Sequence, residues 1–117
     1  MYYYKNISSI ESINMHEHLT EKQIVVLMRG FFILGDSAVL RILFELERYG
    51  EKNFTQLRDQ LGINPATLSK KLRLLTEVGL VSADRTHDHL RVYYSINQHQ
   101  KPLRRLLDAF ERLVNDL

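Results

Sequence analysis

The sequence contains no cysteine, which excludes a disulfide framework, a thiolate metal site and a cysteine nucleophile. No apolar run approaches the ~20 residues that a membrane-spanning helix needs, and the N-terminus lacks the basic-then-apolar pattern of a secretory signal. Nucleophile elbows, phosphate-binding loops and paired-carboxylate patterns are also missing. We therefore expect a cytoplasmic protein that is not an enzyme and that needs no cofactor.

The length and the charge of the chain limit the number of domains and the class of partner. A chain of 117 residues is long enough for one domain with its own core and too short for two. The formal charge of +2 favours an anionic partner only weakly. Its distribution is more informative: residues 64–76 hold three bases and no acid, whereas residues 36–52 hold three bases and four acids.

The basic segment has the pattern of a capped amphipathic helix over residues 65–78. Asn64 suits the cap position, Pro65 suits the first helical position, and Gly79 offers a left-handed stop. Leucines recur at helical spacing on one face, while the opposite face is small, polar and basic. Such a helix suits a DNA major groove, although a solvated surface helix has the same pattern.

The flanking segments favour the DNA-binding interpretation of this helix. A capping box at Thr20 predicts a helix over about 21–34, and Asp36 or Ser37 predicts a second helix through Tyr49. A short helix over 55–61 then precedes the basic helix by a tight connection, which is a helix-turn-helix pattern. Residues 1–19 are interpreted as an arm or a short helix before a domain that spans residues 20–117.

Beyond Gly79 the hydrophobic period changes from helical to two. Residues 80–84 and 90–96 are strand-like, and the polar residues 85–89 suit a hairpin tip. A β-hairpin directly after a recognition helix is typical of a wing, although a purely structural hairpin has the same pattern. The predicted fold is mainly α with a small β-hairpin, a winged helix-turn-helix.

The last segment predicts a strongly amphipathic helix over about 100–117. Its apolar stripe is wide for a terminal helix of so small a domain. The stripe could pack on the domain's own core, but a second copy would bury it better, and the 20–34 helix is a further candidate for this interface. The predicted dimer contacts are Leu103, Leu106, Leu107, Phe110, Leu113, Val114 and Leu117.

Five runs of the chain follow one another in a recognisable order. They are Asn53-Phe-Thr-Gln-Leu-Arg58, Leu61-Gly-Ile-Asn64, Thr67-Leu-Ser-Lys-Lys-Leu-Arg73, Glu77-Val-Gly-Leu-Val81 and Arg91-Val-Tyr-Tyr-Ser-Ile96. These runs resemble the HxlR-type winged-helix regulators. The wider MarR and ArsR superfamily, which includes small archaeal DNA-binding proteins, shares this order. The resemblance implies a dimeric DNA-binding transcriptional regulator. The chain lacks the cysteine common near the start of HxlR-type domains and the cysteines that hold metal in many ArsR proteins.

The resemblance and the helical wheel together predict which side chains contact double-stranded DNA. Lys70 and Arg73 can reach guanine or phosphate, whereas Lys71 lies toward the packed side of the helix and suits a backbone contact. The predicted DNA contacts are Thr55, Gln56, Pro65, Ala66, Thr67, Ser69, Lys70, Lys71, Arg73, Arg85, His87, His89 and Arg91.

Two histidine pairs, His16 with His18 and His87 with His89, are the only clustered candidates for metal binding. Neither pair has a further histidine or cysteine at ligand spacing, so we expect no metal site. The wing pair could add positive charge below about pH 6.5. The alternatives to a regulator are a protein-interaction module and a nucleoid protein of little sequence specificity. An unidentified small-molecule effector is compatible with DNA binding.

Overall fold

The computed structural model describes residues 18–85 and 90–117. The chain divides into two units, and the boundary in the sequence lies between Gly35 and Asp36. The first unit contains helix α1, Glu21–Leu34. The second contains α2 (Ser37–Tyr49), β1 (Lys52–Asn53), α3 (Phe54–Leu61), α4 (Pro65–Glu77), β2 (Val81–Asp84), β3 (Tyr93–Ile96) and α5 (Lys101–Asn115).

Helix α1 begins at the predicted capping box. The Thr20 hydroxyl accepts a hydrogen bond from the Gln23 amide at 3.1 Å, and the Gln23 side chain accepts one from the Thr20 amide at 2.9 Å. The helix is apolar around most of its circumference, yet none of its residues is buried, and Phe32 is 85% exposed. A helix that is apolar all round is ordinarily enclosed by other elements.

The second unit is built on α2, α3 and α4. Helix α2 places Val39, Ile42, Leu43 and Leu46 in the core, and α4 adds Leu68, Leu72 and Leu75 from its predicted apolar face. Helix α3 starts one residue earlier than predicted, because Asn53 and not Phe54 is the cap residue. Helices α3 and α4 form the predicted helix-turn-helix.

The hairpin is confirmed, but it belongs to a three-stranded antiparallel sheet in the order β1-β3-β2. Val81 pairs with Ile96 and Asp84 pairs with Tyr93 across the hairpin, while Lys52 pairs with Tyr94 on the other side of β3. The second strand of the hairpin is shorter than predicted, since it begins at Tyr93 and Leu90 is exposed. Within the described part of the chain, the fold is thus a winged helix-turn-helix.

Helix α5 splits its apolar stripe between two environments. Leu103 and Leu107 are buried in the core of the unit, and Leu106 and Phe110 are half-buried. Leu113, Val114 and Leu117 are exposed, at 59%, 64% and 97%. Leu103 and Leu107 therefore cannot be the dimer contacts that the stripe predicted, because the protomer itself covers them.

No single helix of residues 18–85 and 90–117 is long and apolar enough to span a membrane, although α1 and α2 taken as a pair meet that test by length and composition.

Candidate nucleic-acid interface

The turn between α3 and α4 sets how α4 is presented. Gly62 ends α3 with a left-handed φ of 63°, a conformation that side-chain-bearing residues rarely adopt. The guanidinium of Arg41, on α2, donates a hydrogen bond to the carbonyl oxygen of Leu61, the last residue of α3. The turn is thus held to α2 by a side chain as well as by packing of the buried Ile63.

The hydrophilic side of helix α4 points away from the core. Three of its four leucines, Leu68, Leu72 and Leu75, are buried at 0–2% exposure, which fixes the rotation of the helix about its axis. Of the predicted contacts on this helix, Thr67 and Lys71 are half-buried. The exposed ones are Pro65, Ala66, Ser69, Lys70 and Arg73.

The first turn of α4 has no unbonded backbone amide. Pro65 carries no amide hydrogen, and the Asn64 side chain accepts from the amides of Ala66 at 2.9 Å and Thr67 at 3.3 Å. The Leu68 amide donates to the Asn64 carbonyl at 2.9 Å. Recognition by this helix must therefore come from its side chains.

Lys71 has a different role from the predicted DNA contact. Its ammonium lies 2.8 Å from Oδ2 of Asp36, and its side chain is only 23% exposed. The other carboxylate oxygen of Asp36 accepts from the Val39 amide at 3.0 Å and so caps α2. One carboxylate therefore joins the start of α2 to the middle of α4, and the helical wheel could not show this partner.

The pKa of the Asp36 carboxyl is held below its usual value by the hydrogen bond from Lys71 and then by that from the Val39 amide. We expect Asp36→Ala to lower the free energy of unfolding by about 1–2 kcal/mol, the sum of a missing cap and a missing surface ion pair. Asp36→Asn keeps a capping oxygen and removes only the charge, so its effect should stay below about 1 kcal/mol.

The pH dependence follows from the direction of this pKa shift. A carboxyl whose pKa is lower in the folded state stabilises the fold above its unfolded pKa of about 3.9, and the stabilisation disappears as the pH falls through the folded value. Urea unfolding of the parent and Asp36→Asn should therefore differ at pH 7 and converge in acid. An equal difference at pH 7 and pH 3 would contradict this assignment.

The wing lies beside α4 and forms a cleft of about 600 Å³ with it. Arg85 and Arg91, the predicted cations of the wing, are both exposed. Arg85 lines the cleft together with Ser69 and Arg73 of α4. His87 and His89 lie outside the described residues, as does His16, so the predictions about the histidine pairs stay predictions.

The start of α3 contributes less than predicted. The Gln56 amide donates to the Asn53 side chain at 2.9 Å, and the Gln56 side chain accepts from the Asn53 amide at 2.9 Å. This reciprocal cap occupies the amide that was expected to reach a phosphate. Thr55, at the second helical position, is exposed and keeps its place in the prediction.

Two positioning residues of this surface were not predicted. The Asn97 side chain donates to the Gly79 carbonyl at 2.9 Å, and the Asn97 amide donates to the Leu80 carbonyl at 3.1 Å. These bonds tie the end of α4 to the segment that leads into α5. Asp36 is the other such residue, and only its capping role had a signal in the sequence.

Within residues 18–85 and 90–117, no group of three or more histidine and carboxylate side chains could hold a metal ion. Several acids and bases of α2 and α5 form ion pairs instead. The pairs are Arg48 with Glu111, Arg104 with Glu47 at 3.6 Å, and Arg112 with Asp108 at 2.9 Å.

Comparison with known proteins identifies the family. Residues 36–83, which run from α2 to the first strand of the wing, match the arsR family of bacterial regulatory proteins. No curated protein sequence matches the chain. A possible transcriptional regulatory protein from Mycobacterium bovis, solved as fragment 1–100, is 30% identical over 80% of this chain and 95% of that one, with a TM-score of 0.62.

Two other solved structures have the same fold. The Rv0081 protein of M. tuberculosis is 28% identical over 83% of this chain and 92% of its own, with a TM-score of 0.67. The antimony-specific transcriptional repressor AntR is 23% identical over 95% of this chain and 96% of its own, with a TM-score of 0.74. The predicted winged fold and the absence of an enzymatic role are confirmed, whereas the HxlR type is replaced by the arsR family. The chain belongs to the arsR family of bacterial regulatory proteins and is a DNA-binding transcriptional regulator.

Proposed function

We propose that this regulator binds duplex DNA as a homodimer in the cytoplasm, with α4 of each protomer in a major groove and the wing against the backbone or the minor groove. The exposed face of α4 carries this proposal. From Pro65 to Thr76 the face contains Ser69, Lys70 and Arg73 and no acid, so it attracts phosphate and can donate to guanine.

The dimer is supported by the apolar surface that the fold leaves uncovered. Leu113, Val114 and Leu117 are exposed at the end of α5, and α1 has no buried residue although most of its side chains are apolar. Exposed apolar surface of this kind commonly marks an interface between proteins. A two-fold partner would place its α4 about 34 Å away, one turn of B-DNA.

The amino-acid composition limits which effector this regulator can bind. AntR is named for antimony, but this chain has no cysteine to bind a thiophilic ion. A small-molecule effector of this regulator would therefore be held by oxygen, nitrogen or apolar groups.

Selection of duplexes from a random pool, followed by sedimentation of the free and bound protein, tests this function. We expect a palindromic site whose half-sites are centred about 10 base pairs apart, bound by two copies. Even binding of all duplexes would indicate a nucleoid-type protein. A protein that ignores DNA at low salt and retains an acidic protein partner would be an interaction module, and the proposal would fail.

A further inference from the structure

The cleft between α4 and the wing brings together charged side chains from two different elements. Ser69, Arg73 and Glu77 line it from α4, and Arg85 lines it from the end of β2. Tyr94 lines it from β3, the central strand of the sheet. A volume of about 600 Å³ has room for a sugar-phosphate unit, since pockets of roughly 300–1,000 Å³ enclose drug-sized ligands.

We infer that this cleft holds one backbone phosphate of the bound DNA between Arg73 and Arg85, and that Glu77 keeps the strand out of the other end of the cleft. The inference rests on the proposed function and assigns separate tasks to residues of the same surface. The ligand is a phosphate oxyanion. Besides the DNA backbone, a free inorganic anion could supply the same group.

The two arginines are suited to a phosphate by their chemistry. Each guanidinium presents a planar fork of donors that matches phosphate oxygens, and each stays charged at any physiological pH. Ser69 lies one helical turn before Arg73 on the same face, so a phosphate that reaches Arg73 also comes within range of a hydroxyl donor. Donors from α4 and from the wing thus line the same cleft.

Glu77 limits where the strand can lie. It is exposed, lines the same cleft and follows Arg73 by one turn, which is a rise of about 6 Å. The second acid of the cleft, Asp84, already has an interaction partner in the protein. With two bases and two acids the lining carries no net charge, so a phosphate is attracted only where it lies close to the arginines and away from Glu77.

In this arrangement Lys70 contacts the base edges of the DNA. Lys70 is exposed on the front of α4 but does not line the cleft. Phosphate contacts position a protein on the duplex, whereas contacts to base edges give specificity. Arg73 and Arg85 therefore set affinity for any sequence, and Lys70 sets preference among sequences.

A scan with methylphosphonate linkages tests the inference, because each such linkage removes the charge of one phosphate. The duplex is the one enriched by selection, and binding is measured by fluorescence anisotropy. In the parent protein, one linkage in each half-site should lower affinity by roughly tenfold. That linkage should have a smaller effect in Arg73→Ala and in Arg85→Ala, because one of its two partners is missing, and no effect in the variant that carries both substitutions. Arg105→Ala, an exposed arginine of α5, is the matched control and should keep the parent profile.

Glu77→Gln is the second arm. Removing a negative charge about 7 Å from a phosphate should raise affinity about twofold for every sequence at moderate salt. A fall in affinity would show that Glu77 contacts the DNA and would overturn its assignment.

Two results separate the inference from the function on which it rests. If the selected duplex binds but the linkage profile of Arg73→Ala equals that of the parent, the clamp is wrong and DNA binding stands. If no duplex is enriched, the proposed function itself fails. Inorganic phosphate is titrated against the free protein as the probe for a free anion. Saturable binding that Arg73→Ala abolishes, without any linkage effect, would assign the cleft to a small anion and overturn the inference.

Discussion

The Leu107→Ala variant is expected to unfold with a free energy about 3 kcal/mol below that of the parent protein, because the substitution leaves a cavity under α5. Leu107 is fully buried, and it lies beside Phe44 of α2. Small domains are stable by only about 5–15 kcal/mol, so this single change removes a large part of the total. Urea unfolding followed by circular dichroism measures the effect.

Leu113→Ala is the matched control, since the same substitution lies on the same helix at a position that is 59% exposed. Within one protomer it should change the free energy of unfolding by less than about 0.5 kcal/mol. In a dimer that uses the end of α5, it should instead weaken association, which appears as a lower unfolding midpoint at dilute protein. Equal destabilisation by the two variants at every concentration would contradict this division of α5.

The double variant Lys70→Ala with Arg73→Ala is expected to lower affinity for the selected duplex by about 100-fold at physiological salt. Removing one charge-assisted hydrogen bond costs about 1.4 kcal/mol, or tenfold, and the variant removes two. The plot of log affinity against log salt should also flatten by about one unit for each phosphate that the variant no longer binds. Both residues are exposed, so the fold should be unaffected.

The charge-matched control is Lys101→Ala with Arg105→Ala, two exposed bases of α5. It removes the same formal charge from the protein but not from the front of α4, so it should bind DNA with nearly the parent salt dependence. If the two double variants reduce affinity equally, the attraction is general and α4 is not the recognition helix.

The helices could be predicted closely because residues near each other in the sequence determine where a helix starts and which face is buried. Capping residues at Thr20, Asp36 and Asn64 mark the starts, and the leucine spacing of α4 identifies its buried face. Strand β1 could not be predicted, since two residues are too few to show a period of two. The second wing strand was predicted too long, because alternation at 90–92 continues beyond the pairing with β2.

The DNA contacts stay predictions, but Lys70 and Arg73 are exposed on α4 as the helical wheel predicted. Lys71 instead pairs with Asp36, the cap residue of α2, which is far away in the sequence. The stripe of α5 likewise has one period along its whole length, while only its first half meets the core. Partners that come from distant parts of the chain leave no signal in local spacing.

The capping of α4 has a consequence for how this regulator can change over generations. Asn64 satisfies the first turn and three leucines anchor the back, so the stability of the helix does not depend on Ser69, Lys70 or Arg73. Substitution of Lys70 can alter the preferred operator, and substitutions of Ser69 and Arg73 can alter the affinity for DNA, with little effect on folding. The operator preference can therefore change while the fold is retained. Duplicated copies of such a gene can acquire new DNA targets through a few substitutions on the protein surface.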